Sequence, residues 1–173
     1  VAVRPFLRWP DPRLRAVCAP VGRVDDEVRR IWDDMLDSMY AMPGVGLAAP
    51  QIGVMLRLAV VDCSEGRDGA VRMADPELLA ASTELAVHKE GSPNLPGVWE
   101  DVARPSWARI GYLDETGARV EREFAGLWAA SALHQLDHLD GRLFIERLSP
   151  LRRRRALERA RKAQRRARHE GRE

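Results

Sequence analysis

Two histidines four residues apart, His134 and His138, enclose Gln135, Leu136 and Asp137. On a helix, positions i and i+4 share a face, so both imidazoles can aim at one divalent ion. The hydrolytic form of this pattern has Glu directly after the first His, where it handles protons for a metal-activated water. This chain has Gln135 there, and an amide neither takes up nor delivers a proton near neutral pH. A lone pair of this kind is more often structural than metal-binding.

The element that must carry the pair is a helix from Phe124 to Asp140, closed by Gly141. Leu127, Trp128, Ala129, Ala132, Leu133, Leu136 and Leu139 cover most of its circumference, and a helix apolar all round is buried. Polar side chains on it sit where water is scarce, so they need partners or a job. An earlier helix starts at Asp25 or Asp26, repeats Val28, Ile31, Trp32, Met35, Leu36 and Met39 at helical spacing, and stops at Pro43-Gly44. Gly44 to Gly53 reads as a small-residue loop without the Lys-Ser/Thr ending of a phosphate loop. Strands are expected at 56–62, 71–76 and 85–88, and as a hairpin of 109–113 and 119–124 joined by Asp114-Glu115-Thr116-Gly117. Glu90 to Gly97 reads as turn-rich.

With 173 residues, 45% hydrophobic and 31% charged, the chain suits one globular domain. No apolar run approaches the roughly 18 residues of a membrane span. The opening Val1-Ala2-Val3-Arg4-Pro5 has no export signal, and Cys18 and Cys63 show no disulfide or metal spacing, so a reduced cytoplasm is expected. The net charge of +2 conceals an asymmetry: Lys and Arg far outnumber Glu158, Glu170 and Glu173 beyond Pro150, leaving a net acidic body. The tail is either a solvated helix end or a phosphate-binding arm. No aromatic residue interleaves with its arginines, which argues against base stacking.

Three ordered segments give the pattern more weight: Gly44-Val45-Gly46-Leu47-Ala48-Ala49-Pro50-Gln51, then Glu90-Gly91…Pro96-Gly97, then His134-Gln135-Leu136-Asp137-His138. Together with Arg8-Trp9-Pro10-Asp11-Pro12-Arg13-Leu14 and Gly141-Arg142-Leu143-Phe144…Leu148-Ser149-Pro150, they resemble the motifs of peptide deformylases from about Val3 to Pro150. The resemblance implies an α+β fold, antiparallel strands packed around a central buried helix, over residues 1–149, with 150–173 as a basic C-terminal helix or tail. It implies a divalent metal, Fe, Zn or Ni, held by His134 and His138, and N-formyl or nascent peptides as partners. Gln51 would supply the oxyanion amide, Gly46, Leu47 and Pro93 would meet substrate, and Glu90, Arg104 and Asp137 would support the site. In that family basic C-terminal helices can dock on ribosomal RNA, and no membrane is involved.

The departures fall on the chemistry. The family reads Glu-Gly-Cys-Leu-Ser-x-Pro-Gly where this chain reads Glu90-Gly91-Ser92-Pro93-Asn94-Leu95-Pro96-Gly97. The ligand Cys becomes Ser92, whose hydroxyl binds metal far more weakly than a thiolate. Pro93 has no N–H, so the backbone oxyanion donor is lost. Gln135 removes the general acid/base, a loss typically worth about 10²–10⁴ in rate, and a lost oxyanion donor costs about 10²–10³. The expectation is therefore a degenerate site, a pseudoenzyme without ordinary formyl-methionine deformylase activity that keeps a binding role for nascent or formylated N-termini, its metal weak or absent. The alternatives are a divergent metal-dependent amide hydrolase acting on N-formyl or related acyl groups, and a purely structural or partner-binding module.

Overall fold

The structure is a computed structural model that describes residues 2–171. Helix α1 (Asp26–Ala41) begins where the Asp25 carboxylate accepts the Val28 N–H at 2.9 Å. Its apolar stripe, with Trp32, Met35 and Met39 fully buried, lies on Leu47, Leu58, Val60 and Ala74. Those residues belong to a five-stranded antiparallel sheet in the order β1 (Gly46–Ala48), β2 (Leu58–Val61), β3 (Val71–Ala81), β6 (Trp107–Leu113) and β7 (Arg119–Ala125). Strand side chains alternate between faces. Leu58 and Val60 therefore meet α1, while Ala59 and Val61 turn to the other side.

That other side holds α2 (Leu127–Leu139), whose Ala129, Ala132, Leu136 and Leu139 pack on Ala59, Val61, Met73, Ile110 and Phe124. Every residue of α2 from Ala129 to Leu139 is buried. Gly141, at φ 74°, ends the turn that follows, and a Cβ there would stand 2.5 Å from the Arg15 carbonyl oxygen. The chain opening crosses this end of α2, where Cys18 N–H donates to the Leu139 carbonyl at 2.9 Å.

A separate two-stranded sheet, β4 (Leu85–Gly91) with β5 (Trp99–Pro105), forms the far wall of the site. A third apolar cluster joins Trp9, Leu14, Leu95, Val102 and Phe144 to Ala156 and Ala160 of α3 (Pro150–His169). Arg152 and Arg159 of α3 also reach Glu100 on β5.

The architecture is α+β with antiparallel sheets around a buried helix, as the sequence predicts. Some boundaries differ. The segment at 44–53 is a short strand followed by a 3₁₀ turn at Ala49–Ile52, β3 runs on to Ala81, and β4 continues through Glu90. The second long helix starts at Leu127 because β7 continues through Ala125, paired with Trp107. No strand is expected from sequence at Trp99–Pro105, yet β5 pairs with β4 along its length.

Candidate functional site

A cleft of about 580 Å³ opens between β1, the loop before it, β4 and α2. Gly46, Gln51, Glu90, Ser92, Pro93, His134 and Gln135 line it, joined by Trp99 and Leu127 at the rim. His138 lies behind His134, 1% exposed. Leu47 faces away into the core beneath α1 and is fully buried, so its side chain does not meet the cleft. Gly46 does: a Cβ there would stand 2.4 Å from both Gln135 Nε2 and Ser131 Oγ. The glycine is what lets edge strand β1 lie flush against the histidine helix.

The two imidazoles converge, with Nε2 of His134 3.1 Å from Nε2 of His138. Glu90 Oε1 sits 2.7 Å from His134 Nδ1. An ionised carboxylate only accepts, so Nδ1 donates to Glu90 and Nε2 is the nitrogen turned toward His138. Burial, and then the neighbouring His134, hold His138 well below the usual imidazole range, so it is uncharged and also able to ligate. Its Nδ1 has no partner among the described residues.

Beneath the histidines lies a buried charge network. Arg104 donates to both oxygens of Glu90, at 2.6 and 2.9 Å, and to Asp137 Oδ2 at 2.9 Å. Arg147 closes a second fork on Asp137, at 2.7 and 3.0 Å. Two carboxylates and two guanidiniums balance, which is what burial of charge demands. Burial pushes the Glu90 carboxyl up, but His134 and Arg104 outweigh it and hold it below the usual range. Asp137 is likewise held low, Arg147 and Arg104 outweighing its burial.

Gln51, 2% exposed, meets this centre from the other wall. Its Oε1 accepts the Ala48 N–H at 2.9 Å, and its Nε2 donates to Asn94 Oδ1 at 2.8 Å. Ser92 Oγ donates to Asn94 Oδ1 at 3.1 Å. Gln135 Oε1 is buried without a partner among the described residues. Neither the bond between Asn94 and Gln51 nor Trp99 at the rim was read from the sequence. Their placement depends on β5 and on contacts spanning more than forty residues, which local patterning does not carry.

The donors fit a divalent metal through the imidazoles. Nitrogens each about 2.0–2.1 Å from one ion stand about 3.0–3.4 Å apart at ordinary angles, matching the observed pair. Among the described residues no cluster of three or more His, Cys, Asp or Glu completes the set. The Ser92 hydroxyl, expected from sequence at the third ligand position, bonds to Asn94 and Gln51.

Comparison with known proteins places this geometry. A family profile described as polypeptide deformylase matches residues 3–154. The peptide deformylase of Methylocella silvestris is 46% identical over 93% of this chain and 85% of its own length. That of Cellvibrio japonicus is 42% identical over 88% and 90%. A crystal structure of the Legionella pneumophila peptide deformylase superposes with a TM-score of 0.88 at 37% identity, covering 95% of this chain and 96% of that one.

The expected loss of ordinary deformylase activity, with only a binding role kept, does not stand. Relatives 42–46% identical over most of the chain are peptide deformylases, and they support ordinary function over a pseudoenzyme. The physical reason lies in what the substitutions leave intact. Ser92, Pro93 and Gln135 replace individual donors, while the converging imidazoles, the Gln51 amide, the Glu90–Arg104–Asp137 support and an open cleft all persist. The chain belongs to the polypeptide deformylase family.

Proposed function

We propose that this chain hydrolyses the N-formyl group from the amino terminus of polypeptides. The observation that carries the reading is the convergence of the His134 and His138 Nε2 atoms at 3.1 Å, in a cleft faced by the Gln51 amide. In the reaction the formyl carbon–nitrogen bond breaks, the oxygen of water joins the formyl carbon to give formate, and a proton passes to the freed amine.

His134 and His138 would hold a divalent ion, Fe, Zn or Ni, with Ser92 as a weak third donor. Such an ion supplies Lewis acidity toward a carbonyl and toward water. The free edge of β1 at Gly46 offers backbone groups to an extended peptide. The Gln51 Nε2 hydrogen that faces the cleft donates to the carbonyl oxygen as negative charge grows there. Gln135 lines the cleft, and by turning its side chain its amide oxygen accepts from the attacking water and orients it. It carries no proton, so the proton balance passes through solvent in the open cleft.

The free thiols of Cys18 and Cys63 support a reducing, cytoplasmic setting. No helix among the described residues is long and apolar enough to cross a membrane. The exposed Arg154, Arg155, Lys162, Arg165 and Arg166 of α3 support contact with ribosomal RNA phosphates. Reversing these five charges should abolish RNA retention that weakens steeply with salt and leave formate release on a short peptide unchanged.

The direct test is formate release from formyl-Met-Ala-Ser by protein prepared without oxygen and supplied with Fe, Ni or Zn. Release should be stoichiometric with new amine, stop on chelation and vanish in His134→Ala. No formate with any of the three metals overturns the reading.

A further inference from the structure

We propose that Asn94 is a positioning residue that locks the Gln51 amide with its nitrogen toward the reacting oxygen. This rests on the hydrolytic reading above for its purpose, while the lock itself is a property of the folded chain.

An amide can turn over at little cost unless its neighbours forbid it, and the two faces have opposite effects. Nε2 stabilises a developing oxyanion; Oε1 repels it. At Gln51 both ends are committed. The Ala48 N–H can only donate, so it fixes Oε1 at 2.9 Å. Asn94 Oδ1 can only accept, so it fixes one Nε2 hydrogen at 2.8 Å. Nε2 also donates to Ser92 Oγ at a long 3.4 Å, a weak bond that a substrate oxygen can displace.

The orientation of Asn94 is itself dictated. Its Nδ2 donates to the Leu7 carbonyl at 2.6 Å and to the Gln51 carbonyl at 3.0 Å, which uses both hydrogens. Backbone carbonyls cannot donate, so Oδ1 has to face Gln51. The residue is fully buried. Its backbone is tied as well: the Asn94 carbonyl accepts the Trp9 N–H at 2.8 Å, and Leu7 N–H donates to Gln51 O at 2.9 Å.

Pro93 makes the lock consequential. It removes the backbone N–H beside Ser92, so oxyanion donation from the protein falls on Gln51. Preorganised donors act because they need not turn during reaction, and losing one typically costs about 10²–10³ in kcat.

The test has two arms. In the wild-type protein, the Gln51 side-chain amide, assigned by its disappearance in Gln51→Met, should exchange its hydrogens at least about tenfold more slowly than solvent-exposed amides. Free exchange overturns the proposal without any variant at Asn94. In Asn94→Ala and Asn94→Ser, exchange at Gln51 should accelerate, and kcat for formyl-Met-Ala-Ser should fall about 10²-fold with KM within about threefold. Variants that fold, keep the wild-type kcat and keep the slow exchange also overturn it. If the wild-type protein releases no formate, the hydrolytic reading fails, and the exchange arm still decides whether Asn94 holds Gln51.

Discussion

Glu90 Oε1 lies 2.7 Å from Nδ1 of His134, and this contact selects the ring nitrogen that faces the cleft. A carboxylate behind the imidazole also makes it a better ligand. Glu90→Gln keeps an acceptor but drops the charge, so affinity for Zn should fall about 10–100-fold. Competition with a chromophoric chelator measures this, with thermal melts confirming that the variant is folded. An affinity within threefold of wild type would mean that Glu90 serves the fold alone.

Gln135→Glu places a proton carrier where the unpartnered amide oxygen now sits. General acid–base catalysis contributes about 10²–10⁴, so kcat should rise at least about 10²-fold. The gain should appear only as pH rises through the new carboxyl's pKa, because the base must be ionised. A flat pH–kcat profile in a folded variant would count against Gln135 facing the reaction.

Gly46→Ala tests the close approach of β1 to α2. The new Cβ would meet the ends of two flexible side chains, Gln135 and Ser131, at 2.4 Å. Both can swing aside, so the melting temperature should drop by only a few degrees. Misplacement by about an ångström at a reacting centre can cost 10²-fold in rate, and formate release should fall at least about tenfold.

Tyr40 and Asp62 set the pH limits of the rim. The Tyr40 hydroxyl donates to Asp62 Oδ2 at 2.6 Å, while Arg67 lies over the Tyr40 ring and reaches the Gly44 carbonyl. Burial, and then Asp62, push the phenol up to about 12 from 10.0. The folded chain thus keeps a proton that the unfolded chain loses, so stability should fall between about pH 10 and about pH 12. Tyr40→Phe should flatten that slope in urea melts, leaving the part due to Tyr112, which is also raised by burial. Asp62 is shifted the other way: burial raises it, but Ser64 and Tyr40 outweigh that. Its contribution holds above about pH 4 and fades as pH drops through the lowered value.

Much of the frame was legible from residue spacing. The all-apolar circumference of α2 announced a buried helix, and His134 and His138 had to share its face. The β4–β5 pair was far less so. Leu85 and Val87 point to solvent, 59% and 63% exposed, whereas Glu90 turns inward to His134 and Arg104. This inverts the usual alternation, and β5 contains two acids and a terminal proline. The grip of Asn94 on Gln51 spans 43 positions and depends on backbone carbonyls that have no sequence signature. The losses at Ser92, Pro93 and Gln135 are visible in sequence, whereas the bonds that hold Gln51 and His134 in place exist only in the folded chain.

Leu7 and Trp9 have a consequence for the order in which the chain is made. Three bonds tie these two residues to Gln51 and Asn94, one of them across 87 positions. During synthesis Leu7 precedes Gln51 and Trp9 precedes Asn94, so each bond closes only after its later partner follows, and the Gln51 amide gains its full backing no earlier than Asn94.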